Sequence, residues 1–309
     1  MFLRVREEVE KMLPDVRTPQ EIIQSAIDKY KPIQIALLFS GGHDSLVNTH
    51  LSSSILKSLG YNFVVYHGDT TIGIPETQDY VKSVCKKYNW ELVIRKPPKK
   101  KFYYEEIVKK YGFPGPTKNS HRICFRFLKE RALRSYVTHE CKSKPHAIEN
   151  VLLLTGVRKS ESQIRMGYID EAQKEASRIW ANPIFWWSER DCEKYMLKHN
   201  LPRNSVKDKI CISGECLCGA FADQGEYLEI KEAYPHVAER IDELHEMAKE
   251  NGQVEEADMM EDSEIEKEIE EQAKDSNKEL GLPALDADDG REESEEDGEG
   301  GTSKASDPK

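Results

Sequence analysis

The sequence predicts an α/β protein with a doubly wound, mostly parallel sheet and a cysteine-rich C-terminal extension. An apolar run at residues 33–39 precedes two glycines and a helical pattern. Strand-like runs at residues 62–66 and 91–95 then alternate with further helical patterns. Because parallel strands need long crossovers, this β-α-β-α-β order favours a parallel sheet with right-handed connections. Residues 151–154 are a fourth buried strand of the same kind.

Local signals place the helices in chain order. Residues 2–13 have apolar side chains at helical spacing, and Thr18-Pro19-Gln20-Glu21 has the form of a helix start. Ser188 and Asp191 form a second capping pattern. The remaining helical patterns cover residues 22–30, 46–59, 78–88, 103–110, 121–139 and 189–200.

The loop after the first strand, residues 40–45, is the first candidate binding site. Its sequence is Ser40-Gly41-Gly42-His43-Asp44-Ser45. Backbone N–H groups at a strand–loop–helix joint attract phosphate, and glycines let the chain turn and approach a ligand closely. The serines add hydroxyl donors, and Asp44 can cap the helix or hold a metal ion. The alternative is a Gly-Gly turn before a capped helix. We call residues 40–45 the glycine loop.

Polar residues also follow two other strands. Asp69 and Thr70 come after the second strand, where ligands bind in open parallel sheets. Gly156 and Arg158 follow residues 151–154, and Arg165 lies seven residues beyond Arg158. Two arginines there can clamp a phosphate or a sulfate, since guanidinium binds either anion in a bidentate way. The alternative is a salt-bridged surface.

Charge is distributed unevenly along the chain. Residues 250–309 carry 23 acidic and 6 basic side chains, whereas the preceding 249 residues carry 39 basic and 33 acidic ones. The mildly basic body suits an anionic ligand or a nucleic acid. Residues 96–101 hold four lysines and two prolines, which predicts either a solvated loop or a contact with phosphate or nucleic acid. The low-complexity acidic tail is expected to be disordered.

Seven cysteines are too few and too irregular for a secreted disulfide scaffold. Residues 1–15 lack a signal-peptide pattern, and no apolar run approaches the ~20 residues of a membrane span. We therefore expect a reducing, cytoplasmic setting without membrane association.

Three cysteines lie within eight residues, at Cys211, Cys216 and Cys218. Such clustering is typical of a zinc or iron–sulfur site, for which Cys124 is the best candidate fourth ligand. A redox pair of Cys216 with Cys218 is the other functional interpretation. Together these signals predict an N-terminal helical segment (1–31), a nucleotide-binding domain (32–200), a cysteine cluster with a C-terminal helix (201–249) and an acidic tail (250–309).

Four collinear segments resemble the phosphoadenosine phosphosulfate (PAPS) reductase family of the adenine-nucleotide alpha-hydrolase (PP-loop) superfamily, including its iron–sulfur branch. The glycine loop matches the SGGxDS phosphate loop of that superfamily. The other segments are Asp69-Thr70-Thr71 with Ile74-Pro75-Glu76-Thr77, Gly156-Val157-Arg158 with Glu161-Ser162 and Arg165, and Pro183-Ile184 through Trp187-Ser188-Glu189-Arg190-Asp191 to Leu201-Pro202-Arg203-Asn204.

The resemblance implies an adenine nucleotide, ATP or PAPS, at the strand ends. It assigns nucleotide binding to Ser40, Gly41, Gly42, Asp44, Ser45, Asp69, Thr70, Gly156, Arg158 and Arg165. It gives catalytic roles to Asp44, Arg158, Arg165 and Cys216. It implies Mg²⁺ and a [4Fe–4S] cluster, or Zn²⁺ instead, held by Cys124, Cys211, Cys216 and Cys218. Implied partners are tRNA or DNA, a thioredoxin-like protein or cysteine desulfurase as donor, and a second copy in a homodimer.

The sequence departs from the reductase pattern at its nucleophile. Reductases of the family carry a cysteine in a C-terminal ECGLH-like segment, and here Glu215-Cys216-Leu217-Cys218-Gly219 lies inside the cysteine cluster with no cysteine after it. Three hypotheses follow. The first is an ATP-dependent adenylating sulfurtransferase acting on a nucleic acid or a small acceptor. The others are a PAPS or adenylyl-sulfate reductase, and a non-catalytic nucleotide- or nucleic-acid-binding protein.

Overall fold

A computed structural model describes residues 16–114, 118–160, 170–219 and 225–250. The predictions for residues 2–13, for Arg165 and for the acidic tail beyond residue 250 lie outside these ranges. The strands are β1 (Gln34–Leu38), β2 (Val64–Gly68), β3 (Leu92–Arg95), β4 (Val151–Leu154), β5 (Ala172–Glu175) and β6 (Arg178–Ala181).

The described helices include those predicted between residues 22 and 200 and the predicted C-terminal helix, but the short helices at residues 205–210 and 226–233 were not predicted. The described helices are α1 (Pro19–Tyr30), α2 (His43–Ser58), α3 (Pro75–Lys87), α4 (Tyr104–Tyr111), α5 (Lys118–Cys124), α6 (Arg131–Tyr136), α7 (Glu189–Lys198), α8 (Ser205–Ile210), α9 (Glu226–Ala233) and α10 (Pro235–Glu250). A 3₁₀ turn covers Lys100–Phe102, and π-helical turns cover Phe125–Glu130 and Val137–Cys141. Both capping boxes are present, Thr18 with Glu21 and Ser188 with Asp191, as predicted.

The sheet has six strands in the order β3-β2-β1-β4-β6-β5. All neighbouring pairs are parallel except β5 with β6, which confirms the predicted mostly parallel α/β sheet. The β5–β6 hairpin is absent from the sequence prediction. Its outer strand is polar and exposed, so its four residues lack the apolar run that marks a buried strand.

Apolar cores cover both faces of the sheet, as a doubly wound fold requires. On one face, Leu37 and Leu152 pack with residues of α1, α2, α3 and α7. On the other face, Ala36 and Leu153 pack with Leu133 and Val137. A third core joins α4, α5, α8, α9 and α10 and contains Cys124 and Cys218. The cysteine-rich region therefore has its own core beside the sheet.

Strand order fixes the position of the candidate site. β1 lies between β2 and β4, so the chain leaves β1 in one direction and returns on its other side. Ligands bind at such a switch point, outside the carboxyl ends of the strands. The glycine loop follows β1, and Gly156 and Arg158 follow β4, so the two segments meet at this edge.

Candidate functional site at the strand ends

The glycine loop is a tight turn held by its own hydroxyl groups. Gly41 has φ +91°, and a Cβ on it would lie 2.7 Å from Thr77 Cγ2, so only glycine fits. The hydroxyls of Ser40 and Ser45 lie 3.0 Å apart, and Gly42 N–H donates to Ser40 Oγ at 3.3 Å. The Ser45 hydroxyl also donates to the Gly42 carbonyl at 2.9 Å. The loop is thus preorganised with its hydroxyl groups turned inward.

The first turn of α2 gives this loop its positive character. Gly42 is the N-cap residue and has no side chain to accept from the first helical amides. A helix N-terminus with such amides attracts an anion. His43 stands on this turn, and burial, followed by the charges of Arg203 and Lys207, lowers the pKa of His43. The imidazole is therefore neutral near pH 7, and the positive potential comes from the backbone amides together with Arg203 and Lys207.

Asp44 and Arg158 join the two loops of the switch point. Arg158 Nε donates to Asp44 Oδ2 at 3.1 Å, and the arginine side chain is 9% exposed. The backbones are in close contact, since a Cβ on Gly156 would lie 2.8 Å from the Asp44 carbonyl oxygen. Cys192 lies beneath this pair, where burial and the Asp44 carboxylate raise the pKa of its thiol. The structure therefore brings Asp44, Gly156 and Arg158 together.

Asp69 and Thr70 lie at the carboxyl end of β2, but their side chains already have partners. Asp69 accepts from Thr71 N–H at 2.8 Å and from Gln78 Nε2 at 3.2 Å, and Lys96 Nζ lies 3.6 Å from it. Thr70 is buried, and its hydroxyl donates to the Glu215 carbonyl at 2.7 Å. Both side chains order the loop after β2.

A cavity of about 380 Å³ opens beside this loop. Thr77 lines the cavity and also touches the glycine loop, so the two features adjoin. Basic groups from three parts of the chain line it, namely Lys82, Lys96 and Arg240. Arg240, from α10, also donates to the Thr71 carbonyl at 3.1 Å. Asp69, Asp79 and Glu215 line the cavity as well, so it fits a small polar ligand that meets charges of both signs.

Residues 211–218, which we call the cysteine-bearing segment, are fastened across the loop that follows β2. Ile74 N–H donates to the Gly214 carbonyl at 2.7 Å, and the Thr77 hydroxyl donates to the Ser213 carbonyl at 2.7 Å. With the bond from Thr70 to Glu215, three consecutive carbonyls accept from residues 70–77. Glu215 thereby becomes part of the cavity wall.

Asn204 ends the fourth motif segment, but the sequence indicates no role for it beyond capping. Its side chain is fully buried, donates from Nδ2 to the Gly41 carbonyl at 3.0 Å and to the Ser213 carbonyl at 3.3 Å, and accepts from Val206 N–H at 3.0 Å. One amide therefore connects the glycine loop, the cysteine-bearing segment and the start of α8. An asparagine before a short helix signals only an N-cap.

Three of the four predicted cysteine ligands share one neighbourhood. Cys124 and Cys218 are buried in the same core, and Cys216 packs against it. The buried Tyr104 donates to the Cys218 carbonyl at 3.0 Å, and burial together with these three thiols raises the pKa of Tyr104. Cys211 is exposed and ends α8 with φ +59°.

A charged pair stands beside the thiols. Lys129 Nζ lies 2.9 Å from Glu215 Oε2. Burial lowers the pKa of Lys129, but the charges of Glu215 and Cys216 outweigh it, so the net direction is upward. A hydrogen bond with Cys218, then burial, raises the pKa of Cys216. The two thiols are hydrogen-bonded partners next to a fixed cation.

Within the described ranges, no group of three His, Cys, Asp or Glu side chains is placed to hold a metal ion. The thiols share a neighbourhood, but as placed they do not fit a cluster or a zinc ion. The predicted ligand set stays a prediction, and no chemical step is derived through it.

Comparisons with known proteins agree with the fold and the glycine loop. The model of the phosphoadenosine phosphosulfate reductase domain family matches residues 34–217, which include the glycine loop, Arg158 and the cysteine-bearing segment. The chain belongs to this family, as its motifs predicted. Two uncharacterized proteins of Methanocaldococcus jannaschii are 29% identical over 68% of this chain. The chain spans 40% and 47% of the length of those relatives.

Two solved structures are similar to this chain over most of their own length. PAPS reductase from Candida auris, in a phosphate complex, has a TM-score of 0.44 and 25% identity, covering 65% of this chain and 89% of that one. The NH3-dependent NAD synthetase from Campylobacter jejuni has a TM-score of 0.42 and 15% identity, covering 77% and 95%. Among the described helices of our protein, none is long and apolar enough to cross a membrane.

Proposed function

We propose that this protein is an ATP-dependent adenylating sulfurtransferase that modifies an oxygen of a nucleic acid or a small acceptor. The observation that carries the proposal is a set of hydrogen bonds. They hold the cysteine-bearing segment against the loop that follows β2, next to the glycine loop. Asn204 connects the segment that carries Cys216 and Cys218 to the glycine loop, which is the candidate phosphate site. Adenylation and sulfur transfer need both groups within reach of one acceptor.

The phosphate part of the proposal rests on the glycine loop and Arg158. The loop amides and the N-terminus of α2 would hold the pyrophosphate of ATP, and the guanidinium would stabilise charge as that group leaves. Arg165, on the same segment after β4, is the second proposed phosphate ligand. Mg²⁺, bound by phosphate oxygens and Asp44, would neutralise phosphate charge. Asp44 is 25% exposed, so its carboxylate can exchange Arg158 for such an ion.

The reaction would proceed in balanced steps. The acceptor oxygen attacks the α-phosphorus, the bond to pyrophosphate breaks, and an adenylated acceptor forms. A persulfide on Cys216, loaded by an external persulfide donor of the cysteine desulfurase type, then displaces AMP. Cys218 attacks the Cys216 sulfur, which releases the thiolated acceptor and leaves a Cys216–Cys218 disulfide. A thioredoxin-like dithiol reduces that disulfide by two electrons. The hydrogen-bonded thiols supply both cysteines.

A second candidate is sulfonucleotide reduction, which membership of the family and the presence of Cys216 and Cys218 in one segment support. Cys216 would attack the sulfur of PAPS, release the nucleotide bisphosphate and form a thiosulfonate. Cys218 would then attack the cysteine sulfur and release sulfite, leaving the disulfide. Both candidates use the same thiols, so products distinguish them.

The test uses anaerobically purified full-length protein. It is incubated with ATP, Mg²⁺, RNA, a persulfide donor and a dithiol, and separately with PAPS and a thiol donor. Pyrophosphate with AMP supports the sulfurtransferase, and sulfite supports the reductase. Cys216→Ser should abolish sulfur transfer but keep pyrophosphate release, whereas Cys141→Ser, a half-buried control, should keep both. Nucleotide binding without either product would overturn both enzymatic proposals and leave a binding protein.

A further inference from the structure

One peptide group of the glycine loop is held at both of its ends. The carbonyl of Gly41 accepts from Asn204 Nδ2 at 3.0 Å, and the N–H of Gly42 donates to Ser40 Oγ at 3.3 Å. Because a peptide group is planar, fixing its carbonyl also fixes the direction of its N–H. Asn204 therefore aims the Gly42 N–H at the interior of the loop, where the proposed phosphate would bind.

The same amide holds the cysteine-bearing segment. Asn204 Nδ2 donates to the Ser213 carbonyl at 3.3 Å, three residues before Cys216. Its Oδ1 is occupied by Val206 N–H, so the amide cannot rotate without leaving a buried backbone group unpaired. A shift of Gly41 is thus transmitted to Ser213 through one rigid group.

We propose that Asn204 is a positioning residue that couples the glycine loop to the cysteine-bearing segment, so that nucleotide in the loop orders Cys216 and Cys218. This inference rests on nucleotide binding at the glycine loop, as in the proposed function. When a phosphate takes the Gly42 N–H, the Gly41 carbonyl shifts with it, and the Asn204 amide, which keeps its bond to Val206 N–H, passes that shift to the Ser213 carbonyl. The segment that carries the thiols, already held by its backbone hydrogen bonds, is then held more rigidly while nucleotide is present.

Hydrogen exchange on the full-length protein tests the coupling. The probe is the ATP analogue with a methylene group between its α- and β-phosphorus atoms, added with Mg²⁺. In the unmodified protein it should slow exchange of residues 40–45 and 211–218 together. In Asn204→Ser it should still slow exchange of residues 40–45, but protection of residues 211–218 should fall by about fivefold or more. Serine still caps α8 and cannot reach Gly41.

Thr77→Val is the matched control. It removes the bond to the Ser213 carbonyl and keeps a methyl group where Thr77 Cγ2 lies against Gly41. Exchange of residues 211–218 should be faster without nucleotide, yet the protection by nucleotide should persist. If Asn204 had only a structural role, Asn204→Ser would behave like Thr77→Val: exchange of residues 211–218 would be faster without nucleotide, and nucleotide would still slow it. Asn204→Asp, which keeps shape and cap but loses the donor, should repeat the serine result.

Two results would overturn the inference alone. One is nucleotide protection confined to residues 40–45 in the unmodified protein, and the other is full protection of residues 211–218 in Asn204→Ser. Absence of analogue binding, measured by calorimetry on the unmodified protein, would instead overturn the proposed nucleotide site together with this inference.

Discussion

Arg158 and Asp44 are 114 residues apart in the chain, yet their side chains are 3.1 Å from each other at the switch point of the sheet. Each follows the end of a strand, and β1 and β4 are neighbours. The pair joins the glycine loop to the segment after β4. A change in either residue should therefore affect both segments.

Arg158→Lys should lower kcat/KM for ATP about 100-fold, because an ammonium group lacks the fork that binds a phosphate in a bidentate way. Pyrophosphate release measures this loss. Arg190→Lys, on the exposed side of α7, is the control and should leave the rate unchanged.

Asp44→Asn should also lower kcat/KM for ATP. The variant that combines Arg158→Lys with Asp44→Asn should lose less activity than the two single losses combined, because the two side chains are in contact. Fully additive losses would show that the two groups act independently.

Gly156→Ala should weaken ATP binding about tenfold or more. The segment after β4 contacts the glycine loop, and a small displacement of either one moves the phosphate-binding groups out of position. The new Cβ would lie 2.8 Å from the Asp44 carbonyl, so backbone must move. Gly68→Ala is the control, since its nearest neighbour is 3.8 Å away. Calorimetric titration with ATP measures the difference. Equal affinities in the two variants would exclude close packing of the two loops.

Lys99, Lys100 and Lys101 lie on the surface after β3 and offer a test of a nucleic-acid acceptor. Changing all three to glutamine should weaken tRNA binding and lower the slope of log affinity against log salt by about 0.7 for each phosphate that is no longer neutralised. Changing Lys86 and Lys87, at the far end of α3, should alter neither quantity. An unchanged salt slope in the triple variant would assign tRNA binding to another surface.

His50 gives the stability of the protein a dependence on pH. Burial, followed by the charge of His199, lowers the pKa of His50, and its Nδ1 lies 2.9 Å from the Tyr195 hydroxyl. As pH falls below about 6.5, the unfolded chain binds a proton that the folded protein accepts only at lower pH, so stability decreases.

His50→Asn should remove that contribution. Between pH 7.5 and pH 5.5, the urea midpoint of the unmodified protein should fall more than that of the variant. His146→Asn, at an exposed position, serves as the control and should follow the unmodified protein. Parallel curves for His50→Asn and the unmodified protein would contradict the assignment.

Local patterns were sufficient for strands β1 to β4 and for half of the site. Gly41 and Gly42 follow an apolar run, so their place after a central strand could be read directly. Arg158 and Asp44 could be expected to meet because both follow strand ends. The order of strands up to β4 depended on the same short-range alternation of apolar strands and helices.

Contacts over long sequence distances could not be read in this way. Asn204 bonds to Gly41 across 163 positions, and Thr70 bonds to Glu215 across 145. In both bonds the acceptor is a backbone carbonyl. Because every residue has a backbone carbonyl, the residue types along the sequence do not indicate which one accepts the bond. The placement of three thiols around Tyr104 depends likewise on the third core, which residues from α4 to α10 build jointly.

The cysteine-bearing segment is held through its backbone carbonyls, and this determines which of its residues tolerate substitution. Ser213, Gly214 and Glu215 accept their bonds with main-chain oxygens, so substitutions at 213 and 215 leave the fastening intact. Gly214 is the exception, because its φ is +69° and a Cβ would lie 2.7 Å from Val206. The backbone path of this segment therefore depends on one glycine, whereas a change at Glu215 would remove only its side-chain pair with Lys129.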